Sequence, residues 1–428
     1  MPNFTNPRAG CQSQPLLTQP HSALAHRGTT LRIALVIERF LPTGGGVENV
    51  AWRVAHELGD AGHDVTVLTR SFDPQLVEDT SHAPNVQVLP VPTFWQPLRV
   101  VQFSRAAANA AAAKRFDIVH SFSRTRHQDL YRAGGGSHRE YLRRSYSGGR
   151  RLARQFSPRH RVLLALEAAI FRDPSQRIQC ASRFVANTLT SQHDVCSERI
   201  FLLPNAVDTA RYGTAQAHQA GRRLRMQLDE KAERIWLFPA SGWRRKGLDL
   251  LLEAVAKMRD PGFRLWIAGR DDPTPWRKMI ADLGIGNLVR FLGPRDDLET
   301  VYGAVDAMVL PTRYDAFANV TLEAAASGLP VVTTRANGAS EWLGDAVVCL
   351  DLGDARNMAP TLAPNITPNM EGDPDRLANA MQDLSSRERA RDLGERARRI
   401  AQRMDWPSHA TALTEEYRRI LEFRRSLR

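Results

Sequence analysis

The sequence predicts an α/β protein of two doubly wound parallel-sheet domains that face each other across a cleft. Three observations point there. Residues 31–37, 235–240 and 305–310 are apolar runs without polar alternation, which suits strands covered on both faces. Helical-period stretches separate such runs: Val47, Val50, Ala51, Val54, Ala55 and Leu58 share one helix face, with Gly62 as a stop. The series then begins afresh near Ile235, and 428 residues are enough for two domains of ordinary size.

Taken in order, the strand at 31–37 leads through the loop ERFLPTGGG into that first helix, and 64–69 closes a β–α–β unit. Further strands are expected at 86–91, 118–122 and 177–181. The second series runs strand 235–240, loop SGWRRKG, helix 248–258, strand 263–268, helix 276–283, strand 288–292, helix 296–304 and strand 305–310. It ends on a helix at 319–326, stopped by Gly328 and Pro330. Residues 1–30, rich in Gln, Pro, Ser and His, read as a disordered leader. The first domain is placed at 31–207 and the second at 208–404, with polar 208–233 as hinge and linker. Residues 352–373 read as an exposed loop insertion, and 405–428 as a helix packing back on the first domain.

The composition favours an anionic partner: 58 Lys and Arg against 46 Asp and Glu give a net charge of +12. Cys11, Cys180, Cys196 and Cys349 are scattered without metal-ligand spacing, so reduced thiols, no zinc site and a cytosolic protein are expected. No run of about 18 apolar residues exists to span a membrane.

The most informative stretch is PTRYDAFANVTLEAAASGLPVVTT, from Pro311. Asp315 in a loop and Glu323 in the following helix have seven residues between them. A helix start after a parallel strand offers free N–H groups to a phosphate, and acids to either side accept hydrogen bonds from sugar hydroxyls. That combination suits a nucleotide-sugar; an ordinary strand–loop–helix with solvated acids is the plain alternative. Arg245 and Lys246, in SGWRRKG, would face the same cleft and stabilise a departing pyrophosphate. Gly44, Gly45 and Gly46 suit close ligand approach or merely a tight turn. A dinucleotide fingerprint fails here, because Asn49 stands where its third glycine belongs and no acid ends the second strand. Residues 132–161 hold nine arginines against Glu140 alone, with Tyr141, Tyr146 and Phe156 interleaved. Arg132, Arg139, Arg143, Arg144, Arg150 and Arg151 are therefore candidates for an anionic acceptor or membrane surface, and no nucleic-acid module accompanies them. His120 and Asp129, near a strand end, could handle an acceptor hydroxyl's proton, or be structural.

Together these residues resemble retaining glycosyltransferases of the GT-B type, family 4. The family's acid–seven residues–Glu motif matches Asp315 and Glu323, followed by Gly328, Pro330, Val331 and Val332. Its "KG" loop matches Arg245, Lys246 and Gly247, and its glycine-rich first loop matches Gly44 to Gly46. The stretches HQDLYRAGGGSHREYLRR and AGRDDPTPWRKMIADLGIGNLVRFLG are similar to the branch that glucosylates the bacterial lipopolysaccharide core. The resemblance implies a UDP-sugar donor, UDP-glucose in that branch, an anionic glycolipid acceptor and a place on the cytoplasmic face of the inner membrane. No metal or other cofactor is expected. It further implies that Glu323 holds the ribose and Asp315 the transferred sugar. Phe317, Ala318, Asn319 and Val320 would meet the phosphates, with Gly269 completing the donor site. The chain departs from the pattern in having Asp at position 315 where Glu is usual. A nucleotide-sugar epimerase and a non-catalytic sugar-nucleotide or lipid-binding protein are the rival readings.

Overall fold

The computed structural model describes residues 29–41, 45–73, 84–92, 94–146, 154, 156–258, 260–351 and 373–426. Residues 1–28 of the leader, Gly44, Arg150, Arg151 and nearly all of the 352–373 stretch lie outside these residues. Two parallel sheets organise residues 31–426. The first has the order β3-β2-β1-β4-β5-β6-β7: β1 Arg32–Phe40, β2 Asp64–Phe72, β3 Asn85–Val88, β4 Ile118–Ser121, β5 Leu130–Arg132, β6 Arg177–Cys180 and β7 Ile200–Leu202. The second has the order β10-β9-β8-β11-β12-β13: β8 Arg234–Pro239, β9 Phe263–Ala268, β10 Val289–Gly293, β11 Ala307–Leu310, β12 Val331–Thr334 and β13 Val348–Leu350. Each order reverses direction beside its first strand, between β1 and β4 and between β8 and β11. Such switch points open a crevice at the carboxyl ends of the strands.

The strand β1 shows why the apolar run is continuous. Ile33, Leu35 and Ile37 pack against the Gly46–Asp60 helix and the Trp406–Ser426 helix. Ala34 and Val36 pack on the other face with Phe103 and Ala107 of the Gln96–Lys114 helix. The Trp406–Ser426 helix inserts Trp406, Ala410, Leu413, Tyr417 and Ile420 into the first sheet's core. Each large buried side chain there contributes roughly 1.5–3 kcal/mol.

Two expectations need correction. Residues 208–233 are not simply a linker: Ala215–Gln227 is a helix packed against the Leu298–Gly303 helix. A β-carbon on Gly221 would sit 2.2 Å from the Gly303 carbonyl carbon, so glycine permits that approach. Strands β5, β7, β12 and β13, each three or four residues long, were not anticipated.

Candidate active site

Strand β11 ends at Leu310, and residues 311–318 run along the sheet edge into the Asn319–Ala326 helix. The loop is held tightly. The Asp315 N–H donates to the Ala336 carbonyl, and the Gly338 N–H donates to that of Asp315. One Asp315 carboxylate oxygen accepts from the Phe317 N–H (3.1 Å), and the other is paired with the buried Lys246 ammonium. Asn337 accepts from the Ala318 N–H at 3.2 Å. Ala318 caps the helix without a side-chain hydrogen bond, so Asn319 and Val320 begin a helix whose N–H groups point to the cleft uncapped. Of the four residues expected to meet phosphates, Phe317 and Ala318 thus have their N–H groups engaged within the chain.

The loop after β8 brings the cations. Gly247 has φ +81°, and a β-carbon there would lie 2.1 Å from the Pro311 carbonyl oxygen. Only glycine lets this turn press against the end of β11 and aim Lys246 at Asp315. The Arg245 guanidinium donates to the Tyr314 carbonyl at 2.7 Å and lies 3.7 Å from Asp315. Burial, then the neighbouring Arg245, hold Lys246 well below an ordinary ammonium value. Gly269 directly follows β9, where a β-carbon would fall 1.9 Å from the Ala240 carbonyl oxygen, so its role includes letting two strand ends close up.

Glu323 sits one helical turn in. Its carboxylate accepts from the Tyr302 hydroxyl at 3.1 Å. Burial pushes its pKa up to about 7, against the pull of Tyr302 and Arg211. Arg211 is itself paired with Glu299 at 2.7 Å.

The first half supplies the opposite wall. The Gly46–Asp60 helix also begins without a side-chain cap, at Gly45. A β-carbon on Gly46 would be 3.7 Å from the Asn319 side chain, so the two helix starts confront each other. Between them lies a cavity of about 670 Å³, lined by Gly45, Gly46, Arg245, Lys246, Gly269 and residues 314–320 among others. Two polar links cross it. Asn205 donates to Asn319 at 2.7 Å and accepts from Arg132 at 2.5 Å. The Tyr314 hydroxyl donates to the Gly135 carbonyl at 3.2 Å. Neither Asn205 nor Tyr314 was anticipated; their signal was a polar or aromatic residue in a strand-end loop, which sequence alone does not single out.

Several first-half residues sit elsewhere than expected. His120 is wholly buried; its Nδ1 is 2.8 Å from the Tyr417 hydroxyl, and burial lowers its pKa well below the usual value. It faces the C-terminal helix, not the cavity, so it cannot reach an acceptor. Asp129 precedes β5 at the amino edge of the sheet, opposite the cleft, and is tied to the Val119 N–H and to Arg424. Arg143 and Arg144 clamp Glu140 at 2.7 and 2.5 Å. Burial raises that carboxyl, but the two arginines outweigh it and hold its pKa near 2. These arginines orient a helix before they serve any ligand. Arg132 is buried and lines the cavity, so it does not meet a membrane surface. Arg139 is exposed, as are Arg154 and Phe156 on the same segment.

Among the described residues no cluster of three or more His, Cys, Asp or Glu could hold a metal. Nor is any described helix long and apolar enough to cross a membrane.

The family described as Glycosyltransferase Family 4 matches residues 44–211, and Glycosyl transferases group 1 matches residues 233–367. The lipopolysaccharide core biosynthesis glycosyltransferase LpsE of Rhizobium meliloti is 36% identical over 29% of this chain and 37% of its own length. The D-inositol 3-phosphate glycosyltransferase of Corynebacterium kroppenstedtii is 26% identical, covering 87% and 85%. The lipopolysaccharide glucosyltransferase WaaG of Escherichia coli is 24% identical, covering 73% and 83%. A crystal structure of WaaG superposes with a TM-score of 0.72 at 22% identity, over 89% of this chain and 97% of that one. Anabaena HepE in complex with UDP-glucose gives 0.66 at 21% identity, over 90% and 99%. Residues 44–211 are thus a Glycosyltransferase Family 4 domain and residues 233–367 a Glycosyl transferases group 1 domain, carried on the two-sheet GT-B architecture.

Proposed function

We propose that this glycosyltransferase is a retaining hexosyltransferase that moves a hexose, glucose foremost, from a UDP-sugar to a phosphorylated lipopolysaccharide core or related glycolipid. One observation carries the reading. The Asp315–Lys246–Arg245 cluster stands at the uncapped start of the Asn319–Ala326 helix, facing a second uncapped helix start across the cavity. Two helix starts and two cations suit a pyrophosphate, and the acid at the loop suits sugar hydroxyls. Glu323, deprotonated, accepts from the ribose.

In the reaction, the acceptor hydroxyl attacks the anomeric carbon on the face the nucleotide leaves, so configuration is retained. The anomeric C–O bond to phosphate breaks as the new glycosidic bond forms. Arg245 and Lys246 stabilise the charge on the leaving diphosphate, whose oxygen takes the acceptor's proton. Asp315 exchanges its Lys246 contact for sugar hydroxyls as Lys246 turns to phosphate. Exposed Arg139, Arg154 and Phe156 support a peripheral place on an anionic membrane face, the cytoplasmic face of the inner membrane.

A second acceptor class, a phosphorylated cyclitol, is favoured by the nearly full-length likeness to D-inositol 3-phosphate glycosyltransferases. The test is UDP release from a panel of UDP- and GDP-sugars, with deacylated lipopolysaccharide core, inositol phosphate or no acceptor. NMR then reads the anomeric configuration of the product. Acceptor-dependent release with retained configuration supports the reading; donor turnover without acceptor, or an inverted linkage, contradicts it.

A further inference from the structure

Arg132 is the last residue of β5, at the carboxyl edge of the first sheet, and it lines the cavity while being only 3% exposed. One guanidinium nitrogen donates to Asn205; the other two, Nε and Nη1, are buried without any partner. Its polar neighbours offer no negative charge. Gln179 lies opposite it in register on β6, and His120 and His409 are close by, their pKa values lowered first by burial and then by the Arg132 charge. Its one ring contact is Phe122, 5.6 Å away. Burial draws its own pKa down to about 10. Leaving an arginine buried without a counter-ion is costly; Arg143, Arg144 and Arg211, by contrast, each have a carboxylate.

The turn that follows is fitted around this side chain. A β-carbon on Gly134 would fall 1.8 Å from Nη1, so glycine is what lets the guanidinium fold over toward the cleft. Gly136, at φ +67°, passes so close to Tyr314 that a β-carbon would meet its hydroxyl at 2.0 Å. The RAGGG stretch is thus a glycine roof between an unpaired arginine and a tyrosine of the opposite wall.

We infer that Arg132 is the anchor for a phosphate group of a ligand bound in the cleft, taken by the two unpaired guanidinium nitrogens beneath the Gly134–Gly136 turn. Nε–H and Nη1–H lie on different edges of the guanidinium, so each offers a phosphate oxygen a single charge-assisted hydrogen bond. The phosphate comes either from the nucleotide diphosphate or from a phosphorylated acceptor. This deepens the proposed function and rests on it only for which of these sources is used.

The test measures binding to the full chain by thermal shift and calorimetry, using inorganic phosphate, inorganic pyrophosphate, UDP and glucose 6-phosphate. Wild type is compared with R132M and R132K. If the inference holds, R132M weakens one class of probe by about tenfold or more, the size of one lost charge-assisted hydrogen bond. R132K restores part of it. Loss of UDP and pyrophosphate names the donor as the source; loss of glucose 6-phosphate alone names the acceptor. Without ligand, R132M melts at or above the wild-type temperature, because a buried unpaired charge has gone. The inference is overturned if every affinity stays within about twofold of wild type, or if wild type binds none of the phosphates. It is also overturned if R132M unfolds while R132K binds all probes unchanged. A wild type that binds phosphates through Arg132 yet releases no UDP from any sugar would sink the proposed function and leave this inference standing.

Discussion

At the scale of single residues, the site is a set of charges held in check by one another. Lys246 is buried and its acid partner is Asp315, so Asp315→Asn strands an ammonium in a poorly hydrated site. That change is expected to cost about 3 kcal/mol of stability, read in denaturant titrations, besides any loss of turnover. Glu323 makes a pH prediction. Its pKa is raised to about 7, so the folded chain binds the proton more tightly than the unfolded chain does. Its stabilising share is complete below the ordinary glutamate value near 4.5 and is lost as pH rises through about 7. Donor binding has the opposite sign, since ribose hydroxyls donate to the carboxylate. UDP affinity should fall up to about tenfold per unit as pH drops below 7, and Glu323→Gln should flatten that profile. A UDP affinity that is pH-independent in wild type between pH 5.5 and 8 would count against this role.

At the scale of elements, backbone turns do the aiming. Gly247→Ala places a β-carbon against the Pro311 carbonyl at a positive φ, so a loss of about 2 kcal/mol or more is expected in thermal melts. The turn would have to move, and Lys246 with it. Much at this level could be read from the residues. The helix at Asn319–Ala326 was delimited by Gly328 and Pro330 and by the apolar run before it, because stop signals are local chemistry. What could not be read depended on contacts between distant segments. The period of a strand assigns His120 to a face, but only the fold shows that the C-terminal helix covers that face. A run of arginines looks like a basic surface; that Arg143 and Arg144 wrap Glu140 while Arg132 turns inward is decided by tertiary packing. The Ala215–Gln227 helix was hidden for a related reason: its surface is polar, and its buried side is only Ala217, Gly221 and Leu224, the first two meeting Gly303.

At the scale of the whole molecule, residues far apart in sequence complete each half. The Trp406–Ser426 helix packs on β1's face and on the Gly46–Asp60 helix, so it belongs structurally to the first sheet. Tyr417→Ala is expected to cost about 3–5 kcal/mol, leaving His120 without its partner as well as a cavity. Asn205 and Tyr314 join the two walls of the cleft, and donor binding is expected to rearrange those links. The central claim is that the cavity between the two helix starts is the nucleotide-sugar site. The most direct test is calorimetric titration of UDP-glucose into wild type and Lys246→Ala, with folding of the variant checked by its melt. The account predicts saturable one-to-one binding that is weakened at least about tenfold in the folded variant. Binding of equal strength to both proteins would contradict it.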